Sequence, residues 1–319
     1  MKALIFSEGN GYGHAARDSI IARHFGFPIM TFGKGAEYCR LNAMHFIETP
    51  PPYVIRAGKE KVQIASEITD LIRFLKPASL AKIQAHFMKV DLVIVDGSPL
   101  GLAIAGLAGK KAVYISNDTS ALVGVHGHLQ KKVAGSLLDR LMLSARIIIV
   151  PDFPPPLTVT ALNLDSSFPL AFIGPLVERR KQISHNKRFV VAGLLEKELK
   201  PYLGGQAIYG GKTDIRSCYA DAELVICHGG HTTIMEALSY GKPVLCIVDK
   251  TYSERYNNAL MLEKKGIGVL LDKDFLTAES LQAAIDYAKT LNHKRLALYR
   301  DTAEKLDPMA ILAKAMDGI

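Results

Sequence analysis

The sequence is poor in cysteine and has no long apolar run, and each shortage excludes a class of protein. Its four cysteines, Cys39, Cys218, Cys227 and Cys246, form no CxxC pair and no metal-ligand spacing. They therefore predict reduced core thiols of a cytosolic protein. No segment approaches about 18 consecutive apolar residues, and the first apolar run, ALIF, is too short for a signal peptide. We expect neither a disulfide-stapled secreted fold nor a membrane-spanning helix.

A dense basic run is also lacking, although the formal charge is +8 and the pI is about 9.2. The lysine and arginine pairs are scattered, which is typical of a solvated surface. Aromatic residues do not alternate with them as they do in single-strand-binding modules. The positive charge favours an acidic ligand, such as a nucleotide, or an anionic surface. We expect no nucleic-acid partner.

Short apolar runs alternate with helix-like stretches along all 319 residues, a length suited to two domains. The runs are KALIFS, PIMTFG, MHFIET, DLVIVD, KAVYIS and RIIIVP, then FVVAG, QAIYGG, ELVICH, PVLCIV and GVLLD. Several are apolar on both faces, as in buried parallel strands, so the pattern predicts doubly wound α/β domains. We expect domains 1–176 and 177–319, divided near FPLAFIGPLVERRKQISHNKR. Ligands bind such sheets beyond the carboxyl ends of the strands.

The first strand is followed by EGNGYGHAARD, in which Gly9, Gly11 and Gly13 precede His14 and Arg17. A dinucleotide fingerprint would need glycine at position 14 and an acidic residue after the second strand, so we disfavour an NAD site. Two interpretations stay open: glycines that supply positive φ in a tight turn, or glycines that leave room for a bulky ligand. In the second, the histidine accepts a proton from a hydroxyl group, provided that another group orients its ring.

Asp96, at the end of DLVIVD, is the natural partner for that histidine, because the carboxyl ends of parallel strands lie on one rim of a sheet. The acceptor-side candidates are Gly9, Gly11, Gly13, His14, Arg17 and Asp96.

A second candidate lies in ICHGGHTTIMEAL, where a strand ends at Cys227 and Thr232 and Thr233 open a helix. Unpaired N–H groups and the positive dipole end at a helix start suit a phosphate, and glycines let a diphosphate approach the backbone. Thr232 can cap the helix, and Glu236, one turn on, can accept hydrogen bonds from a ribose. The alternative is an ordinary strand-to-helix turn with a surface glutamate. Two histidines without a third ligand make zinc improbable.

HGGHTTIMEALSYGKPVLCIV followed by SERYNNALMLEKKGIGVLL resembles the donor-binding signature of GT-B glycosyltransferases, among them the UDP-glucuronosyltransferases and the MurG-type lipid-linked sugar transferases. The resemblance is strongest over residues 205 to 272 and extends loosely to GNGYGH and FIGPLV. It implies two Rossmann-like domains facing each other across a cleft, with the acceptor on the first and a UDP-sugar on the second. It also implies that the last helix, DPMAILAKAM, crosses back onto the first domain.

The resemblance further implies roles for individual residues. The segment from His228 to Thr233 would lie against the donor diphosphate, Glu236 would bind the ribose, and His14 would be the general base oriented by Asp96. Glu254 and Asn258 would fall near the donor sugar. No metal ion or other cofactor is implied. The donor-side candidates are therefore His228, Gly229, Gly230, His231, Thr232, Thr233, Glu236, Glu254, Arg255 and Asn258.

Two departures from the family pattern bear on function. Arg255 stands where many members have glutamine, so it either pairs with a uronate carboxylate or points to solvent. Only the short stretch LLEKELKPYL separates FVVAG from QAIYGG, where relatives have a longer loop and helix. The second domain is thus trimmed, and the fold alone does not establish activity.

Three further signals receive simpler explanations. Asp272 and Asp274 form a DxD that suits a turn and helix cap better than a metal site. His126 and His128 lie in a polar stretch without an assigned role. EITDLIRFLKPASLAKIQAHF, which includes Arg73, Lys76 and Lys82, is either a core-facing helix or a face that docks on an anionic membrane.

The sequence therefore predicts an inverting, metal-independent glycosyltransferase that moves a sugar from a UDP-sugar to an acceptor hydroxyl, with a lipid-linked acceptor as one option. Two alternatives remain: a nucleotide-sugar-binding protein without catalysis, and a UDP-sugar 2-epimerase, whose extra acid/base carboxylates we cannot place. The expected location is the cytoplasm, with peripheral contact to the inner membrane face as an option.

Overall fold

The computed structural model describes residues 1–52, 76–119, 140–178, 185–193, 195–210 and 215–318. His126, His128 and Arg73, with the other residues of the basic amphipathic stretch up to position 75, lie outside these residues. The chain forms two compact units. The first contains Met1–Pro151, Leu164–Ile173 and Pro308–Ile319, and the second contains Asp152–Asn163 and Gly174–Asp307.

The first unit has a parallel sheet with the order β3-β2-β1-β4-β5-β6-β7. Its strands are β1 (Ala3–Ser7), β2 (Ile29–Thr31), β3 (Phe46–Glu48), β4 (Leu92–Asp96), β5 (Lys111–Ile115), β6 (Ile148–Val150) and β7 (Leu170–Phe172). Its helices include α1 (Tyr12–Phe25), α2 (Gly33–Leu41), α3 (Pro77–Phe87) and α4 (Pro99–Leu107). The first six strands follow the Rossmann order.

The second unit has a parallel sheet with the order β12-β11-β10-β8-β9. Its strands are β8 (Phe189–Val191), β9 (Ala207–Tyr209), β10 (Leu224–Cys227), β11 (Val244–Val248) and β12 (Gly268–Asp272). Its helices include α5 (Glu196–Leu203), α6 (His231–Ser239), α7 (Ser253–Lys264), α8 (Ala278–Lys289) and α9 (His293–Lys305). The last helix, α10 (Pro308–Asp317), belongs to the first unit.

The continuous apolar runs are explained by burial on both faces of each sheet. In β10, Val225 and Cys227 enter one core cluster of the second unit, whereas Leu224 and Ile226 enter the cluster on the opposite face. The strand β4 is buried along its whole length, from Leu92 to Asp96. All eleven apolar runs named above form strands in the structure. The prediction of two parallel α/β domains is confirmed.

The units are not contiguous in sequence, unlike the single division after residue 176 that the sequence predicted. Asp152–Asn163 joins the second unit because Phe153 and Val159, both fully buried, belong to its core. The chain then returns to the first sheet as β7 before it enters the second unit again at Gly174. The apolar runs of the sequence do not show that the chain enters the second unit, returns to the first and then enters the second again.

Each sheet has a point where the strand order reverses direction. In the first sheet it lies between β1 and β4, and in the second between β8 and β10. Loops beyond the carboxyl ends of the strands at such points are where doubly wound sheets bind ligands. The candidate histidines follow β1 and β10, so each lies beside the reversal point of its own sheet.

Candidate active site

The glycines of the loop after β1 have two structural roles: one allows close packing, and another caps the start of α1. A Cβ atom at Gly9 would overlap the carbonyl oxygen of Phe32, so this glycine allows two chain segments to pass closely. Gly11 is the N-cap of α1 in an extended conformation, and a Cβ there would meet nothing within 4 Å. Neither residue has a positive φ. The space expected for a ligand is therefore present at Gly11 and absent at Gly9.

Gly13 and Arg17 lie within α1, which begins at Tyr12, and not in the preceding loop. The Arg17 side chain is 4% exposed and points into the unit. Its Nε donates to Asp96 Oδ2 at 2.6 Å, and a terminal nitrogen contacts Asp96 Oδ1. A second terminal nitrogen donates to Asn117 Oδ1 at 3.1 Å. The expected acceptor-side contact of Arg17 is thus replaced by a buried ion pair.

The predicted pair of His14 and Asp96 is present. His14 Nδ1 lies 3.0 Å from Asp96 Oδ1, and the histidine is 31% exposed whereas the aspartate is fully buried. Arg17 Nη2 also lies 3.0 Å from His14 Nδ1. Burial alone raises the pKa of Asp96, but the charges and hydrogen bonds of Arg17 and His14 outweigh it and hold this pKa below the ordinary aspartate value. An ionised carboxylate can therefore orient the imidazole.

Gly97 is a part of this site that the sequence interpretation missed. Its φ is +70°, and a Cβ atom there would overlap the His14 ring. The ring therefore lies directly against the backbone that follows β4. The Asp-Gly pair after a buried strand is the only local signal for this arrangement, since it favours a tight turn.

In the second unit, α6 begins at His231, one residue before the predicted threonine cap. The N-cap is Gly230, which has no side chain that could cap the helix. Thr232 and Thr233 are therefore helical, and both are partly exposed. A helix start that no side chain caps leaves its dipole and amides directed toward the loop side.

Three contacts hold the turn before this helix. Gly229 has a φ of +81°, and a Cβ there would lie 2.6 Å from the Arg255 carbonyl oxygen. Its amide donates to Cys227 Sγ at 3.4 Å, and its carbonyl accepts from Asn258 Nδ2 at 3.1 Å. This amide therefore faces inward, which corrects the expectation that it contacts a diphosphate. The amides of the first helical turn remain the candidates for that contact.

The two histidines of the turn lie in different environments. His228 is partly exposed, and a Cβ at Gly193, whose φ is +81°, would lie 2.6 Å from its Cε1. His231 is 5% exposed, and its Nε2 lies 3.8 Å from Asp152 Oδ2. The His231 ring is thus directed into the unit, which leaves the backbone of this residue for the predicted contact with the diphosphate.

Glu236 is 9% exposed and lies one turn into α6, so it is not the surface glutamate of the alternative interpretation. Its Oε2 accepts a hydrogen bond from the Tyr219 hydroxyl at 3.1 Å. Burial, followed by the charge of Glu236, raises the pKa of Tyr219 well above its ordinary value, so the phenol remains a donor. The tyrosine was not identified from the sequence, since it lies 17 positions away.

Residues of α7 complete the donor-side set. Asn258 is fully buried and donates to Gly229, so it supports the turn and does not face a sugar. The backbone carbonyl of Glu254 accepts from Asn163 at 3.3 Å. Arg255 is partly exposed, and its guanidinium carbon lies 4.4 Å from the centre of the Tyr252 ring. That contact is a cation–π interaction, and it holds the arginine at the first turn of the helix.

The signals discounted above have structural explanations. Asp272 Oδ1 accepts from the Asp274 amide at 3.1 Å and caps a 3₁₀ turn. Within the described ranges, no three histidine, cysteine, aspartate or glutamate side chains lie close enough together to hold a metal ion. In the same part of the chain, no helix combines the length and apolarity needed to cross a membrane.

Known proteins resemble the chain at three levels. Residues 197–316 match the model of the glycosyltransferase family 28 C-terminal domain. A protein of Methanosarcina acetivorans named "uncharacterized glycosyltransferase" is 27% identical over 379 residues, which cover 99% of this chain and 96% of that protein. The solved structure of the spinosyn rhamnosyltransferase SpnG superposes with a TM-score of 0.71 at 14% identity, covering 99% of this chain and 100% of SpnG. The protein is a GT-B glycosyltransferase.

These comparisons confirm the resemblance to GT-B glycosyltransferases that the helix motif indicated. A shorter match covers 83 residues, 24% of this chain and 21% of the relative, at 37% identity. That relative is the UDP-N-acetylglucosamine–N-acetylmuramyl-(pentapeptide) pyrophosphoryl-undecaprenol N-acetylglucosamine transferase of Cupriavidus metallidurans. In this glycosyltransferase, the structural observations assign candidate roles to two separate sets of residues, one on each unit.

Proposed function

We propose that this glycosyltransferase moves a sugar from a UDP-sugar to an acceptor hydroxyl with inversion at the anomeric carbon, without a metal ion. The observation that carries the proposal is the 3.0 Å contact between His14 Nδ1 and the buried Asp96 carboxylate. A histidine whose Nδ1 is held by a carboxylate presents its other nitrogen, Nε2, for proton transfer. A base on the acceptor side supports direct displacement by the acceptor oxygen.

In the proposed reaction, His14 Nε2 takes the proton of the acceptor hydroxyl as the acceptor oxygen bonds to the anomeric carbon. The bond from that carbon to the diphosphate oxygen breaks, and UDP leaves with the bonding electron pair. Asp96 stabilises the imidazolium that forms, as an orienting carboxylate does in other histidine bases. The amides and dipole at the start of α6 stabilise the negative charge on the leaving group, which is why we propose no metal ion.

Support for a uridine donor comes from two sources. The name of the Cupriavidus metallidurans relative includes a UDP-sugar, and its match supports the same donor class here. The second source is Glu236, which accepts a hydrogen bond from Tyr219 one turn into α6. We propose that its carboxylate also accepts hydrogen bonds from ribose hydroxyls when a diphosphate lies at the helix start. The same relative acts on a lipid-linked acceptor by its name, which makes lipid-linked acceptors a priority for assay.

The test is UDP release by the wild-type enzyme and by His14→Ala across a panel of UDP-sugars and hydroxyl acceptors. Loss of a general base typically lowers the rate by about 10² to 10⁴, so we expect at least a hundredfold decrease. His24→Ala is the matched control, because His24 is an exposed residue in the last turn of the same helix.

Three outcomes would contradict the proposal. Wild-type turnover by His14→Ala would remove the base assignment. Release of UDP that does not depend on an acceptor would instead favour a 2-epimerase-type reaction. A protein that binds UDP and releases none from any donor and acceptor pair would be a binding protein.

A further inference from the structure

The segment Asp152–Asn163, which we call the linker segment, is folded against the second unit. Asp152 gives the segment its shape, since its carboxylate accepts from the amides of Phe153 at 2.6 Å, Val159 at 3.0 Å and Thr160 at 2.8 Å. The Tyr299 hydroxyl donates to the carbonyl of Leu157 at 2.9 Å. The segment therefore has a defined conformation on the unit that carries the α6 turn.

The end of the linker segment reaches the α6 turn through a chain of side-chain amides. Asn163 Nδ2 donates to Asn258 Oδ1 at 2.8 Å, and Asn258 Nδ2 donates to the Gly229 carbonyl at 3.1 Å. Asn163 is 1% exposed and Asn258 is fully buried, so water does not compete easily for these bonds. Asn163 Oδ1 is occupied separately, since it accepts from Asn257 Nδ2 at 2.9 Å.

The orientation of the Asn258 amide depends on Asn163. A carboxamide has nearly the same shape after its oxygen and nitrogen exchange places, so hydrogen-bond partners decide which end points where. Because Asn163 Nδ2 donates, Asn258 must present its oxygen, Oδ1, toward Asn163. The other end of the amide, Asn258 Nδ2, is then directed toward the Gly229 carbonyl. Without that donor, the Gly229 carbonyl alone orients the amide, and the buried Asn258 Oδ1 loses its hydrogen bond from Asn163, so the amide is held less firmly.

We infer that Asn163 is a positioning residue for the donor site: through Asn258 it fixes the Gly229 turn and thereby the start of α6, whose amides bind the donor diphosphate. The inference rests on the proposed function, because it assigns the diphosphate to the start of α6. Residues that orient ligand-contacting groups through hydrogen bonds commonly change affinity by large factors when they are substituted. The hydrogen bonds from Asn163 through Asn258 to Gly229 orient the turn in this way, and Asn163 itself need not contact the ligand.

The test is calorimetric titration with UDP of the wild-type protein, Asn163→Ala and the matched control Asn257→Ala. Both variants lose the bond between Asn163 and Asn257, but only the first loses the bond to Asn258. We expect the UDP Kd to rise about five- to tenfold in Asn163→Ala, the effect of one hydrogen bond. In Asn257→Ala it should stay within about twofold, since that variant retains the route to Gly229.

The stoichiometry of the titration separates positioning from folding. An irreversibly misfolded fraction would lower the number of binding sites and leave the Kd of the folded fraction unchanged. A reversibly unfolded fraction would instead raise the apparent Kd, so thermal melting has to show that the variant is fully folded at the temperature of the titration. If Asn163→Ala does not fold, Asn163→Asp at pH 8 serves in its place, because it retains the acceptor for Asn257 and opposes Asn258 Oδ1 with an ionised carboxylate.

An unchanged Kd in the position 163 variants, or an equal increase in Asn257→Ala, would overturn the inference and leave the proposed function intact. Failure of the wild-type protein to bind UDP would instead overturn the proposed function, and the inference with it.

Discussion

At Gly97 and at Gly193, the absence of a side chain leaves room for a histidine ring. Both have a positive φ, and both lie just beyond a strand at the reversal point of their sheet. A Cβ atom at either position would strike an imidazole ring, that of His14 or that of His228. The same arrangement therefore occurs in both units: a histidine that follows one strand packs its ring against a glycine in the loop after the neighbouring strand.

Gly97→Ala should lower kcat/KM about tenfold to a hundredfold, because an added methyl group displaces the His14 ring and small displacements of a base are costly. Gly109→Ala is the matched control: its φ of +65° imposes the same kind of backbone strain, but a Cβ there meets nothing within 4 Å. Steady-state kinetics and circular dichroism of both variants make the comparison. Equal loss of activity in the two would attribute the effect to backbone strain and contradict the role of the ring contact.

Asp18 is a second buried carboxyl beside the candidate base. It is fully buried in α1, and burial, followed by the charge of Asp96, raises its pKa well above the ordinary aspartate value. Arg17 acts in the opposite direction on the same carboxyl. The buried cluster therefore favours one ionised carboxylate, Asp96, and one protonated acid, Asp18, around a single guanidinium. This division keeps the cluster near neutral charge.

The pH dependence of stability follows from this shift. A carboxyl whose pKa is higher in the folded protein contributes stability that is fully present below about pH 4 and is lost as the pH rises through the folded value. Asp18→Asn removes this loss, so the melting temperature of the variant relative to wild type should increase between pH 4 and pH 8. Asp301→Asn, at a side chain 48% exposed, is the control for the same substitution on the surface. A constant difference for Asp18→Asn across that range would contradict a protonated acid.

At the scale of elements, the strands were predictable and the helix starts were not. Every apolar run identified in the sequence forms a strand, because burial on both faces requires uninterrupted apolar residues. The strand β7, Leu170–Phe172, was missed because it lies in FPLAFIGPLVERRKQISHNKR, the stretch that the sequence interpretation assigned to the division between the domains. Both α1 and α6 begin after glycine caps, Gly11 and Gly230, which carry no side chain to mark the boundary.

The contacts of the site also divide into those that could be predicted from the sequence and those that could not. The pairing of His14 with Asp96 could be predicted because parallel strands place their carboxyl ends on one rim. The contacts of Asn163 with Asn258 and of Tyr219 with Glu236 could not, since they join residues 95 and 17 positions apart without a shared motif. Arg17 was assigned to the wrong environment, because one helical position decides whether a side chain faces a ligand or the core.

At the scale of the whole molecule, each unit has its own core, and the proposed donor contacts all belong to the second unit. UDP at about 100 times its Kd should therefore add about 2.7 kcal/mol to the stability of that unit. Amide exchange followed by mass spectrometry should slow in β8, β10 and α6, and also in the linker segment Asp152–Asn163, which precedes the rest of the unit in sequence. The core strands β1 and β4 should exchange at unchanged rates.

The linker segment makes this experiment decisive. A division of the chain by sequence alone would group residues 152 to 163 with the first unit, whereas the packing of Phe153 and Val159 groups them with the second. Protection that stops at Gly174 would show that the segment does not respond to the donor and would contradict its connection to the α6 turn. Protection confined to β1 and β4 would place the nucleotide on the first unit and overturn the donor-site assignment. Slower exchange in the linker segment together with α6 would support both, because the amide chain from Asn163 through Asn258 links the segment to the Gly229 turn that precedes α6.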